Sequence, residues 1–139
     1  MRLQLTDDPA PAARDVIFAG LVAHNVVRGG PPNWRPLAVL ILDDEGLAVG
    51  GLWGGTGYEW LFVEMLFVPE PLRMQGLGSS LLAKAEHEAR LRGCRGAWLD
   101  TFEFQARGFY ERAGYVVFGE IPDYPPGSAR YFLKKALAA

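Results

Sequence analysis

The fold turns on the stretch Val68-Pro69-Glu70-Pro71-Leu72-Arg73-Met74-Gln75-Gly76-Leu77-Gly78-Ser79-Ser80. An apolar run ends at Val68, and Pro69 and Pro71 stop it because proline cannot donate to a sheet ladder. From about Leu77 to Arg92 the chain reads as a helix, with Leu81, Leu82, Ala85 and Ala89 as its apolar stripe. Lys84, Glu86, Glu88 and Arg90 are assigned to the wet side, and Gly93 is the C-terminal stop. A strand, a two-glycine turn and a helix entry have a chemical meaning. The first amides of a helix lack internal partners and sit at the positive end of its dipole, so they can cradle a phosphate. Glycine lets the backbone approach the anion and take positive φ. Arg73 adds charge at the rim, and Ser79 or Ser80 can add a hydroxyl. A P-loop needs lysine where Ser79 stands, and a dinucleotide fingerprint needs a third glycine where Leu81 stands. Taken alone, the turn also reads as a helix entry that binds nothing.

Working outward, Leu3 and Leu5 alternate with polar neighbours as a first strand, and Asp7-Asp8-Pro9 stops it and offers a helix cap. Val16, Ile17, Gly20, Leu21 and His24 repeat at helical spacing, which predicts a helix over 12–27. Three apolar runs follow: 37–42, 47–54 and 60–68. Short links, Asp43-Asp44-Glu45-Gly46 and Gly55-Thr56-Gly57, predict antiparallel hairpins. Beyond the 77–92 helix lie a strand at 97–100, a short helix at 105–112, and strands at 115–121 and 129–134. The order β-α-β-β-β-α-β-α-β-β predicts an α+β or mixed α/β fold with one right-handed parallel crossover, from the 60–68 strand to Trp98.

The 139 residues, half of them hydrophobic and 22% charged, suit one soluble domain over residues 1–139. A net charge of −2 disfavours a nucleic-acid partner. The lone Cys94 allows no intrachain disulfide and has no base beside it, so it reads as a core or near-surface thiol in a reducing compartment. With no signal-peptide apolar region and no run of roughly 18 apolar residues, the expected location is the cytoplasm, away from membranes. His24 and His87 are too far apart, with one cysteine, to give metal-site spacing.

Arg73-Met74-Gln75-Gly76-Leu77-Gly78 between a strand and a helix resembles motif A of the GNAT (GCN5-related N-acetyltransferase) superfamily. Ala106-Arg107-Gly108-Phe109-Tyr110-Glu111-Arg112-Ala113-Gly114-Tyr115 resembles that family's Ala-x-x-hydrophobic-Tyr-x-x-x-Gly-aromatic segment. The two motifs stand in the family's order and separation, and the element order matches along nearly the whole chain. The resemblance implies a central mixed, mostly antiparallel sheet of six to seven strands flanked by helices, with acetyl-CoA as co-substrate and no metal. It assigns the pyrophosphate to Met74, Gln75, Gly76, Leu77, Gly78 and Ser79, with Arg73 flanking. Pantetheine falls to the backbone of Leu66, Phe67 and Val68, paired like an added strand, and the motif residues Ala106 and Tyr110 complete the cofactor site. Many members carry Asn three residues before the motif alanine; here that position is Glu103, and Gln105 is the available substitute.

Acetyl transfer to an amine requires a neutral amine, support for the oxyanion and a proton for the leaving thiolate. Alkylamines have pKa values near 10, so a base is needed. Glu64 is the candidate base, the one charge in the run 60–68. Alternation places it on the face of Phe62 and Leu66, and burial would raise its pKa; the competing reading is a carboxylate paired across the sheet. A backbone amide near Leu66 or Phe67 is expected to hold the oxyanion. Tyr110 is the candidate acid, with a packing aromatic as its alternative. Trp34, Trp53, Tyr58, Trp60 and Tyr124 are available to line an acceptor pocket.

The expected activity is N-acetyl transfer from acetyl-CoA to a primary amine of a small molecule or peptide, by direct attack in a ternary complex. The alternatives are a non-catalytic acyl-CoA-binding module with the same fold, and a glycine-rich α/β domain with no CoA site. The family default of a homodimer places the interface on the C-terminal strands, 115–134.

Overall fold

A computed structural model describes residues 1–137, which divide into two compact units, Met1–Pro32 and the chain from Asn33 onward. The first unit carries one helix, α1 (Pro11–Gly29). Pro11 opens it in the first turn, where a missing N–H costs nothing. Gly30 closes it at φ +79°, its amide donating to the Val26 carbonyl at 3.0 Å. No residue of α1 is buried. The expected strand at Leu3–Leu5 does not form; both leucines are fully exposed and residues 1–10 pair with no strand. Two leucines offer too little apolar area to fix an extended segment against its conformational entropy.

The second unit is a mixed α/β structure built on a six-stranded sheet of order β1-β2-β3-β4-β6-β5. Its strands are β1 (Arg35–Leu42), β2 (Ala48–Gly57), β3 (Trp60–Phe67), β4 (Gly96–Phe102), β5 (Val116–Pro122) and β6 (Ala129–Ala136). Helix α2 (Leu77–Leu91) lies between β3 and β4 in sequence, and α3 (Arg107–Arg112) between β4 and β5. All neighbours are antiparallel except β3 and β4, the pair joined by the predicted crossover. The β2–β3 turn falls later than predicted. Gly55-Thr56-Gly57 stay in β2, and the reversal is made by Tyr58 and Glu59, at φ +49° and +64°. Composition pointed to the glycines, but they serve instead inside the strand.

Leu61 and Val63 of β3, Ala97 and Leu99 of β4 and Leu133 of β6 bury one sheet face against Leu81, Leu82, Ala85 and Ala89 of α2. Helix α2 packs across β1, β2 and β3. Its C-terminal neighbour Arg92 pins it there, donating from Nη1 to the Thr56 hydroxyl and the Pro36 carbonyl, both at 3.1 Å. Of the two placements open to it, Cys94 takes the core, and burial pushes its pKa up.

Glu86 departs from expectation. It is buried, and its carboxylate accepts the Tyr115 hydroxyl at 2.9 Å and the Lys135 ammonium at 2.7 Å. Lys135 also donates to the Ala113 carbonyl at 2.8 Å, just beyond α3. One carboxylate thus ties α2 to β6 and to the segment around α3. A buried charge is tolerated when it is paired in this way.

Candidate active site

Strands β3 and β4 pair in parallel only from Trp60↔Gly96 to Val63↔Leu99. Beyond Val63, β3 continues to Phe67 on β2 alone, so its other edge is free from Glu64 onward. A β-bulge lies at the same place. Trp53 pairs with Met65 and Gly54 with Val63, which leaves Glu64 as the extra residue. A bulge bends the strand and resets its alternation. Leu66 and Val68 accordingly pack with the core set of Leu61 and Val63, while Phe62 stacks on Trp98 with ring centroids 4.3 Å apart. Glu64 is therefore exposed, not buried, and does not share one face with both Phe62 and Leu66. The bulge removes the burial that was expected to tune it.

The turn after β3 has the geometry of an anion cradle. Met74 and Gly76 take φ +66° and +75°, and Gly76 is the left-handed N-cap of α2, with no side-chain cap on the helix. The leading amides of α2 are thus uncapped by any side chain, with the positive dipole end beneath them. A methyl at Gly76 would meet nothing within 4 Å, so glycine is there for its φ. Gly78 serves a different need: a methyl would sit 3.3 Å from the Phe109 ring, which packs on this first helical turn. Arg73 donates from Nε to the Val68 carbonyl at 2.8 Å and lies over the Phe67 ring.

Leu66, Phe67, Val68, Arg73, Met74, Gly76, Leu77, Gly78, Ser79 and Ala106 line one groove of about 640 Å³. Of the expected cofactor residues, Gln75 is exposed on the turn and off the groove wall, and Tyr110 lies one compartment further in. That second cavity, about 220 Å³, is lined by Glu64, Asp100, Thr101 and Tyr110 and shares Leu66, Gln105, Ala106 and Phe109 with the groove. The two proposed catalytic residues, far apart in sequence, thus face one space.

Tyr110 is buried in α3, edge-on to Phe109 and Tyr115 at 5.0 and 6.1 Å. Burial, and then the Asp100 carboxylate, push its pKa above the ordinary 10.0, so the phenol holds its proton. Three further residues join the site: Gln105, the expected substitute, Phe109 of the Tyr110 motif, and Asp100, which had no local signal in the sequence. Gln105 orders the loop at the usual Asn segment: its Oε1 accepts the Phe102 amide at 2.8 Å and the Thr101 hydroxyl at 3.0 Å. Asp100 is held by Arg130, and Phe109 walls both spaces. None of Trp34, Trp53, Tyr58, Trp60 and Tyr124 lines the smaller cavity, whose aromatic wall is Phe109 and Tyr110. Among the described residues no group of His, Cys, Asp and Glu is placed to hold a metal ion, and no helix is long and apolar enough to cross a membrane.

Residues 20–115 match the model of the acetyltransferase (GNAT) family. The acetyltransferase Atu2258 of Agrobacterium fabrum is 41% identical over 97% of this chain and 98% of its own. The blasticidin-S acetyltransferase of Streptomyces morookaense is 45% identical over 74% of this chain and 79% of its own. A solved structure from Agrobacterium tumefaciens superposes with a TM-score of 0.94 at 40% identity, over 98% of this chain and 99% of that one. A splayed parallel strand pair, an uncapped helix entry at its mouth and these likenesses agree: the chain belongs to the GNAT family and is an acetyltransferase.

Proposed function

We propose that the protein transfers the acetyl group of acetyl-CoA to the primary amine of a small molecule, directly in a ternary complex. The observation that carries this reading is that the two spaces are neighbours with shared walls. The groove along the helix-entry turn and the free edge of β3 shares Leu66, Gln105, Ala106 and Phe109 with a cavity lined by Glu64 and Tyr110. An acyl group delivered along the groove arrives beside a cavity whose wall carries both a candidate base and a candidate acid. The small size of the inner cavity, and a relative that acts on blasticidin S, favour a small-molecule acceptor over a peptide.

The groove fits CoA by its own chemistry. Uncapped amides of α2 suit a pyrophosphate, with Arg73 at the rim. The backbone of Leu66, Phe67 and Val68 offers the unpaired groups that an extended amide chain needs. Acetyl-CoA supplies an activated thioester, so no enzyme nucleophile is required. Glu64, exposed at the bulge, takes one proton from the incoming ammonium directly or through water and releases it to solvent. The neutral amine forms the N–C bond as the C–S bond breaks, and a β3 amide near Leu66 or Phe67 faces the developing oxyanion. Tyr110 gives its proton to the departing sulfur and is restored by the second proton lost from nitrogen. Burial keeps Tyr110 protonated for that step.

The chain 1–139 acts in this reading as one catalytic domain in the cytoplasm, where Cys94 stays reduced, and its assembly is a homodimer through β5 and β6. The test is thiol release from acetyl-CoA over a panel of amines, with calorimetric titration of CoA. Tyr110→Phe is expected to lower turnover by about 10²–10⁴ while CoA affinity holds. Unchanged turnover would remove the acid role. CoA binding without turnover of any amine would leave the non-catalytic acyl-CoA-binding module.

A further inference from the structure

The inner cavity has two charged residues on its wall, and both are carboxylates, Glu64 and Asp100. Each is the first residue past the last parallel pair, Val63↔Leu99, so they flank the point where β3 and β4 part. Glu64 has a role in the reading above, and Asp100 has none.

Asp100 is held unusually firmly for a cavity wall. Arg130 donates to its Oδ1 from both Nε, at 3.0 Å, and Nη2, at 2.6 Å. The third guanidinium nitrogen, Nη1, donates to the Tyr124 hydroxyl at 3.0 Å. The guanidinium also lies over the rings of Phe102, Tyr124 and Phe132, at 5.4, 5.1 and 5.5 Å. All three of its nitrogens are engaged, two by Asp100 on β4 and one by Tyr124 in the 123–128 loop, so the guanidinium fixes the carboxylate from outside the cavity lining. Among the described residues, nothing donates to the second oxygen of Asp100, Oδ2. The side chains of Asp100 and Arg130 are 21% and 27% exposed, so the pair is partly withdrawn from water. A fixed, half-buried carboxylate with one satisfied oxygen favours an N–H donor at the other, and charge-assisted bonds of this kind are short and directional.

Resting on the acceptor reading above, we propose that Asp100 is a specificity-determining residue of the acceptor site. Its Oδ2 receives an N–H of the acceptor amine, and Arg130 is the positioning residue that aims it. The acceptor class follows from the wall. Two carboxylates attract an ammonium, and a second one if the ligand has it, and repel a ligand carboxylate. The substrates are therefore small alkylamines and diamines, and amino acids of matched length are discriminated against.

The test uses matched ligands: butylamine, 1,4-diaminobutane and 4-aminobutyrate. Turnover is measured with acetyl-CoA, and amine binding by calorimetry to the enzyme–CoA complex. The wild-type protein should prefer the amines over the amino acid by about tenfold or more. Asp100→Asn, which keeps the Oδ1 acceptor for Arg130, should weaken amine binding by about 10- to 100-fold. It should also narrow the amine-to-amino-acid ratio, with CoA affinity nearly unchanged. Arg130→Gln should move the ratio the same way by less; a pair that only braces the sheet would lower the melting temperature and leave the ratio alone. Turnover by the wild type with no change in Asp100→Asn overturns this inference and leaves the acetyl transfer standing. CoA binding with no amine bound or acetylated overturns both.

Discussion

Replacing Glu86 with alanine tests the tie that holds the helix under the site. The Glu86 carboxylate, 6% exposed, accepts Lys135 at 2.7 Å and the Tyr115 hydroxyl at 2.9 Å, and lies 3.9 Å from Arg90 Nη2. Its removal leaves a hydroxyl on a residue only 2% exposed without its acceptor, and an ammonium without its counter-charge. Breaking a buried pair by deleting one partner costs about 3–5 kcal/mol. Lys135 is 24% exposed and keeps its bond to the Ala113 carbonyl, so the low end, about 3 kcal/mol, is expected. For a domain of this size that is a fall of roughly 9–15 °C in Tm. Glu86→Gln keeps an acceptor for Tyr115 and loses only the charge, and should fall by about half as much. Thermal and urea unfolding followed by circular dichroism gives both values. A Tm for Glu86→Ala within 3 °C or so of wild type, well below that range, would mean that the carboxylate is solvated and the tie absent.

Two further outcomes follow from the turn and from the buried tyrosines. Gly76→Ala forces a side chain into φ +75° with open space around it, so its cost is backbone strain alone, about 1–2 kcal/mol. If the turn relaxes to relieve that strain, CoA affinity falls by about 5- to 30-fold in calorimetric titration, and Gly76→Asn, which tolerates left-handed φ, should recover most of the loss. Burial, and then the Glu86 charge, push the Tyr115 pKa up from 10.0, and Tyr110 is shifted in the same direction. Their contribution is whole below pH 10 and is lost above it, as the unfolded chain releases protons that the native one keeps. The urea midpoint should hold through neutral pH and drop above about pH 10, with a shallower drop in Tyr115→Phe.

Where pattern and chemistry agreed, the elements were legible. Leu81, Leu82, Ala85 and Ala89 repeat at helical spacing and form the buried stripe of α2. The two-glycine turn and the Tyr110 segment line a groove and a cavity that share walls. Glu86 was misread by residue type, not by position: it follows Leu82 by four residues and precedes Ala89 by three, which puts it on the stripe. Its partners, Tyr115 and Lys135, are distant in sequence and leave no local trace. The bulge at Glu64 was hidden because a register shift exists only relative to a partner strand. Asp100 and Arg130 meet across β4 and β6, thirty residues apart, so neither signals the other.

The separation of β3 from β4 has a consequence for what the molecule admits. Unpaired strand edges are hazards on a protein surface, because another chain can add to them. This edge is shielded by the usual means. It spans only Glu64 to Phe67, begins at a bulge bearing a charge, and is followed by Pro69. Helix α3 supplies Phe109 as the wall of the groove along it. The opening is therefore too short an edge to template a foreign β-strand. The same gap between β3 and β4 that opens the groove is thus kept from becoming a site of aggregation.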